Sequence, residues 1–306
     1  MTTAWRPEHE IEIIAGTPAG GGQDRPARAL ISILDAQKLI GHPAKLTNIP
    51  GKGGGNGWAQ LRKHDGDPHV LAINSPTIIT NKQLRVADFD HAALTPLANL
   101  YTEYIAFVVR ADSPIRTGAD FMKRLQADTA GCRIALATAI GNINHMALAQ
   151  VTAHAGGNIK ALKINVFDSA LYAVADVIEQ RAEVGAITAV SAVKAIESGQ
   201  VRAFAISAPQ RLPRLYAGVP TWTEQGVNCV IGTWRGVIGA AGLTSQRIAY
   251  WEDTLRAATT TAEWNATLAE KYWANTYLSG TDLRAFLDHE RDVMGRLLQD
   301  LGLLPA

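Results

Sequence analysis

Short apolar runs rich in β-branched residues alternate along the chain with longer stretches whose apolar residues recur at helical spacing. That is the pattern of an α/β protein. Ile11-Glu12-Ile13-Ile14-Ala15 reads as a first strand and Val70-Leu71-Ala72-Ile73 as another, and 105–109, 133–136, 184–187 and 202–206 read the same way. Between them, 26–39 and 170–181 read as helices. The clearest helix is the last. Leu283, Phe286, Leu287, Met294, Leu297, Leu298 and Leu301 share one face, after a Thr281-Asp282 start suited to capping, which predicts a helix docked on a core. No internal repeat or low-complexity segment is visible. The run Gly51-Lys52-Gly53-Gly54-Gly55-Asn56-Gly57 lies between strand signals and reads as a tight loop, not a linker.

Composition narrows the picture. At about 150 residues per domain, 306 residues predict two domains. The chain is 47% apolar and 19% charged, and 29 basic residues against 28 acidic ones leave a formal charge of +1. No global positive field exists to attract nucleic acid, and the seven tryptophans are not interleaved with basic residues. The apolar runs are too short to span a bilayer. Two distant cysteines, Cys132 and Cys229, exclude a disulfide scaffold or cysteine-rich zinc site and read as buried free thiols, with a single bridge left open. The start Met1-Thr2-Thr3-Ala4-Trp5-Arg6 has no apolar signal region. A cytoplasmic protein and an exported one whose signal is absent from this chain both fit.

Two motifs carry candidate chemistry. Gly16-Thr17-Pro18-Ala19-Gly20-Gly21-Gly22-Gln23-Asp24 follows a strand and opens a helix. Glycines admit close backbone approach and a helix start offers amides and a positive dipole end, which suits a carboxylate or phosphate. A purely structural turn explains the same glycines. The run matches neither a Walker A loop nor a dinucleotide fingerprint. Ala139-Ile140-Gly141-Asn142-Ile143-Asn144-His145 repeats the arrangement with amide side chains. His145 reads as a packed histidine without a catalytic part. Asp168 has an ion pair or helix cap as its ordinary fate and ligand contact as the alternative. Metalloprotease, nucleophile-elbow and metal-cluster spacings are absent, although scattered Ser, His and Asp leave a triad assembled in space open.

Several stretches together resemble the solute-binding proteins of tripartite tricarboxylate transporters, often called Bug proteins. Ala19-Gly20-Gly21 with Asp24 and Ala27-Arg28 is similar to the family's first loop, and Asn48-x-Pro50-Gly51-x-Gly53-Gly54 to its next one. Asp65-Gly66 fits its place before a strand. A longer match runs through Ser198-Gly199-Gln200-Val201-Arg202-Ala203-Phe204-Ala205, Arg211, Val219-Pro220-Thr221, Glu224-x-Gly226 and Trp234-x-Gly236. The resemblance covers about residues 10–300.

It implies a type II periplasmic-binding-protein-like α/β fold of two domains with a central cleft and interdomain crossovers. Domain 1 would comprise 1–104 plus 230–306 and domain 2 105–229, with hinges near 101–106 and 228–234. It further implies a non-catalytic receptor that closes on a small organic acid and delivers it to membrane permease subunits in the periplasm, as a monomer, with no cofactor, no metal and no nucleic acid. The implied ligand-binding residues are Thr17, Pro18, Ala19, Gly20, Gly21, Asn74, Ser75, Ala139, Gly141, Asn142, Asn144, Phe167, Asp168 and Thr188. The loops matching 17–22 and 139–144 would grip a carboxylate, partly through ordered water. This chain departs from the family at Phe167-Asp168-Ser169, where Tyr-Lys-Gly is usual, and at Gln23, Pro26 and Gln180. An acid at 168 in place of a cation would repel a second ligand carboxylate, which points to a monocarboxylate with an amine, hydroxyl or aromatic group. A cytoplasmic enzyme and a ligand sensor on the same scaffold are the rival readings.

Overall fold

The first apolar run forms β1 (Ile11–Ala15), with Ile11, Ile13, Ile14 and Ala15 all buried. In this computed structural model, which describes residues 5–137, 139–167 and 169–304, it is followed by α1 (Asp24–Ala36), β2 (Ala44–Asn48), α2 (Gly55–Leu61), β3 (Val70–Asn74), α3 (Thr77–Gln83) and β4 (Thr95–Arg110). Next come α4 (Gly118–Ala127), β5 (Arg133–Ala137), α5 (Ile143–His154), β6 (Lys163–Phe167), α6 (Ala170–Ile178), β7 (Val184–Thr188), α7 (Ala189–Glu197) and β8 (Val201–Ile206). The chain ends with β9 (Gly232–Gly239), α8 (Ser245–Thr259), α9 (Ala262–Lys271), β10 (Trp273–Ser279) and α10 (Gly280–Asp300).

Two compact units result. Among the described residues, one comprises 5–102 and 234–296, the other 103–233 and 297–304. In the first unit the strand order is β2-β1-β3-β9-β4, with β10 also on β4. β1 runs parallel to β2 and β3, and β9 is antiparallel to β3. In the second unit the order is β6-β5-β7-β4, with β8 also on β4. There β5 runs parallel to β6 and β7, and β4 is antiparallel to β7 and β8. A sequence without a visible repeat therefore builds one strand order twice: a central strand between two parallel neighbours, then an antiparallel strand from elsewhere in the chain.

Each unit has an aromatic core. In the first, Tyr101 lies flat on Trp273, ring centroids 3.9 Å apart, beside Trp264, Trp251, Leu30 and Leu34. In the second, Phe107 and Phe204 meet Trp222 edge to face, Phe107 at 4.9 Å. These buried indoles supply large apolar area to the interior. Cys132 and Cys229 are buried free thiols, and burial pushes both up to about 12, which keeps them protonated and inert.

Three local expectations need correction. β4 begins ten residues before 105, through polar residues that break its apolar pattern but find partners in the fold: buried Asn99 donates through its Nδ2 to the Thr276 carbonyl at 2.8 Å. The glycine-rich stretch is not a loop throughout; Lys52–Gly54 is a 3-10 turn and α2 starts at Gly55. Its glycines serve packing, since a Cβ on Gly16 would fall 2.5 Å from the Gly54 Cα. α10 begins at Gly280, whose N–H donates to Glu252 Oε1 at 3.1 Å, so Thr281 and Asp282 lie inside the first turn. Leu283, Leu287, Met294, Leu298 and Leu301 are buried along its face, with Phe286 and Leu297 half-buried. Among the described residues, no helix is long and apolar enough to cross a membrane.

Candidate functional site

From β1 the chain passes through α1 to β2 on one side and then through α2 to β3 on the other. Connections diverge at the C-terminal end of such a strand, and crevices for ligands form there. The loop 16–23 stands at that point. Thr17 Oγ1 accepts from the Gln23 and Asp24 amides at 3.3 and 3.2 Å, capping α1 from a distance where Gln23 supplies no side-chain cap. The Gly21 N–H donates to the Pro18 carbonyl at 2.9 Å, and Gly20, at φ 77, donates to Asp24 Oδ2 at 2.8 Å.

Asp24 is 1% exposed. Burial pushes its carboxyl up, but hydrogen bonds from Arg28, the Gly20 amide and Asn48 outweigh this and hold it below its ordinary value. Asn48 Nδ2 reaches both Asp24 Oδ1, at 3.0 Å, and the Thr17 carbonyl, at 2.8 Å. The buried charge under the loop is thus paired and fully bonded. Gln23 Oε1 accepts from the Gly16 amide at 2.8 Å and Gln23 Nε2 reaches Ser75 Oγ at 3.4 Å, which brings Ser75 and its buried neighbour Asn74 to the loop. Arg235 donates to the Gly22 carbonyl at 3.0 Å. Pro18, Ala19 and Gly20 form the exposed tip.

In the second unit β5 holds the corresponding place between β6 and β7. Asn142 is the N-cap of α5: its Oδ1 accepts from the His145 amide at 3.0 Å and its Nδ2 donates to the Ala137 carbonyl at 2.6 Å. Gly141, at φ 81, donates its N–H to His145 Nδ1 at 3.0 Å. An acceptor at Nδ1 places the proton of this neutral ring on Nε2. His145 is 3% exposed and burial drives it down to about 4, so it is uncharged at neutral pH and works as a fixed strut for the loop. Ala139 and Gly141 belong to this loop, and Asn144 is buried in the first turn of α5. Phe167 ends β6, half-buried; Thr188 ends β7 and lies 2.9 Å from Ser191 through their hydroxyls. Asp168 lies outside the described residues.

The picture of open backbone amides is corrected at Gly20, Gly21 and Gly141, whose N–H groups are spent inside their own loops. Thr17 and Asn142 likewise spend side-chain bonds on helix caps. Sequence reasoning missed Gln23, Asn48, Arg235 and His145 as loop supports, although Gln23, Asn48 and His145 stood inside the quoted motifs. No group of three or more His, Cys, Asp or Glu residues able to hold a metal occurs among the described residues.

The family model described as tripartite tricarboxylate transporter family receptor matches residues 29–303. Among solved structures, R. palustris Rpa4515 with adipate is 19% identical, covers 98% of this chain and 99% of its own, and superposes with a TM-score of 0.87. MatC (Rpa3494) from Rhodopseudomonas palustris with bound malate is 19% identical over 95% of this chain and 99% of its own, with a TM-score of 0.81. A TctC solute binding protein from Polaromonas, without ligand, is 24% identical over 96% and 99%, with a TM-score of 0.74. The fold class is that of these proteins: two α/β units of the type II periplasmic-binding-protein kind.

Proposed function

The chain belongs to the tripartite tricarboxylate transporter receptor family, and from that premise we propose that it is a non-catalytic receptor which binds a small carboxylate in the periplasm and hands it to the permease subunits of a tripartite transporter. The observation that carries this reading is the paired construction of the loops. In each unit a glycine-bearing loop follows the central strand, opens a helix, and is braced by its own hydrogen bonds. Loops already braced need not be ordered by the ligand, so less binding energy is lost on association. The ligand's carboxylate is taken by the 17–22 loop with Asn74 and Ser75, and the rest of the molecule by the 139–144 loop with Phe167, Asp168 and Thr188. Since three of the glycine amides are occupied, bridging water carries part of the contact.

Adipate and malate, held by two of the similar proteins, are dicarboxylates. Asp168 argues for a different ligand here: an acid beside a poorly solvated second carboxylate costs a few kcal/mol, on the order of a hundredfold in affinity. We therefore assign a monocarboxylate with a hydroxyl, amine or aromatic end. Isothermal titration against malate, adipate and monocarboxylates of matched size tests this. The reading expects the monocarboxylates to bind tighter and Asp168→Asn to improve dicarboxylate binding. Tightest binding by malate or adipate, unchanged in Asp168→Asn, contradicts the ligand class. No binding of any small acid contradicts the receptor itself.

A further inference from the structure

Seven large apolar side chains are exposed among the described residues, and they are unevenly placed. Four of them, Ile140, Val166, Leu171 and Tyr172, belong to one end of the second unit. β5 and β6 run parallel with Ala137 opposite Phe167, so both strands finish at the same edge of the sheet. Ile140 lies in the loop that leaves β5, and Val166 with the half-buried Phe167 ends β6. Leu171 and Tyr172 stand in the first turn of α6, the helix that follows β6, each 64% exposed. Exposure of Val166 has an ordinary cause, since β6 is the outer strand of its sheet. The two residues of α6 have no such cause.

Folding uses only their backbone. Ser169 caps α6, its hydroxyl accepting from the Leu171 N–H at 3.3 Å and its carbonyl from the Tyr172 N–H at 3.1 Å. A helix start favours acids, yet this first turn holds none and presents two apolar side chains instead. Side chains on a helix lean toward its N-terminus, so Leu171 and Tyr172 lean toward the end where β5 and β6 finish. Open parallel sheets take ligands at that end. The loop braced by Asn142 and His145 stands there too, so apolar surface adjoins a few fixed polar groups, the usual make-up of a small-molecule site. Four side chains fall well short of the roughly 800 Å² per partner that a stable protein interface covers.

We propose that this apolar end receives the body of the ligand, and that the solute is an aryl-substituted monocarboxylate such as a phenylalkanoate. Its ring meets Leu171 and Tyr172, with Ile140 and Phe167 beside them; the tyrosine adds ring-on-ring packing to the apolar area buried. The inference rests on the receptor reading and narrows it, choosing the aromatic end over the hydroxyl and the amine.

Calorimetric titration with 3-phenylpropanoate and with gluconate, a polar acid, reads this in the wild type, in the double variant Leu171→Ser/Tyr172→Ser and in Val86→Ser. The last removes an exposed apolar side chain from the first unit. The wild type is expected to bind 3-phenylpropanoate at least about tenfold tighter than gluconate, with a negative heat-capacity change. The double variant loses about tenfold toward 3-phenylpropanoate, its heat-capacity change shrinks, and its melting temperature stays at the wild-type value because both side chains are exposed. Val86→Ser leaves the preference intact. Gluconate bound as tightly as 3-phenylpropanoate, or full affinity for 3-phenylpropanoate in the double variant, overturns the aryl assignment and leaves the receptor reading standing, since an acid still binds. An equal loss in Val86→Ser overturns it as well. A wild-type dimer in sedimentation that the double variant abolishes, with affinity for 3-phenylpropanoate unmoved, overturns it by giving this face to a second copy. Binding of no acid at all removes the receptor reading and this inference with it.

Discussion

Thr17 and Gly21 show how closely the first loop is drawn. A Cβ at Gly21 would lie 2.6 Å from Thr17 Oγ1, the atom that caps α1, whereas a Cβ at Gly20 would meet nothing within 4 Å and pay only for its φ of 77. Gly21→Ala is therefore expected to displace the cap and lower ligand affinity at least about tenfold, while Gly20→Ala costs roughly 1–2 kcal/mol of stability through its backbone alone. Calorimetric titration and thermal unfolding of the two variants check the contrast; equal effects would mean the Thr17 contact is unimportant. At His145 the prediction is a pH dependence. Burial lowers its value from 6.5 to about 4, so the unfolded chain takes up the proton first as pH falls. Stability from this group is complete above pH 6.5 and is lost as pH falls toward 4, by roughly 3 kcal/mol at most. Protonation also removes the acceptor for the Gly141 amide. Denaturant unfolding at stepped pH should show this loss in the wild type and a flatter profile in His145→Gln. His145 was legible in the sequence as a packed histidine, but its hold on Gly141 was not, because a ring's partner depends on how the loop folds back.

Strands were the most legible elements. β1, β5 and β7 lie where their apolar runs placed them, since burial of alternating or continuous β-branched residues is written locally. The first part of β4 was hidden by the polar residues Asn99, Thr102 and Glu103; Asn99 and Thr102 both hydrogen-bond to Thr276, far along the chain, and Glu103 is buried. The same distance concealed Ser207. Its N–H donates to the Ile105 carbonyl at 2.9 Å, its Oγ accepts from the Ile105 N–H at 2.9 Å and donates to the Ile231 carbonyl at 2.6 Å. One serine thus ties β4 to the segment leading into β9, at both stretches the sequence nominates as hinges. Ser207→Ala leaves the buried Ile105 amide without that acceptor and is expected to cost about 1–3 kcal/mol. Denaturant unfolding measures it, and a midpoint within error of wild type would show that the tie carries no stability.

At the scale of the whole molecule, one strand order occurs twice without a sequence repeat to announce it. Topology depends on where apolar segments fall and how they are connected, and many sequences satisfy that. Each unit thereby gains a loop at the end of a central parallel strand, and the proposed function rests on each of those loops taking its part of the same ligand. Backbone amide NMR during titration with the tightest acid of the panel tests this most directly. The account predicts saturating shift changes concentrated at 17–22 in the first unit and at 139–145 in the second, with a single shared affinity. Changes in only one of the two loops, or confined to other parts of the chain, would contradict it.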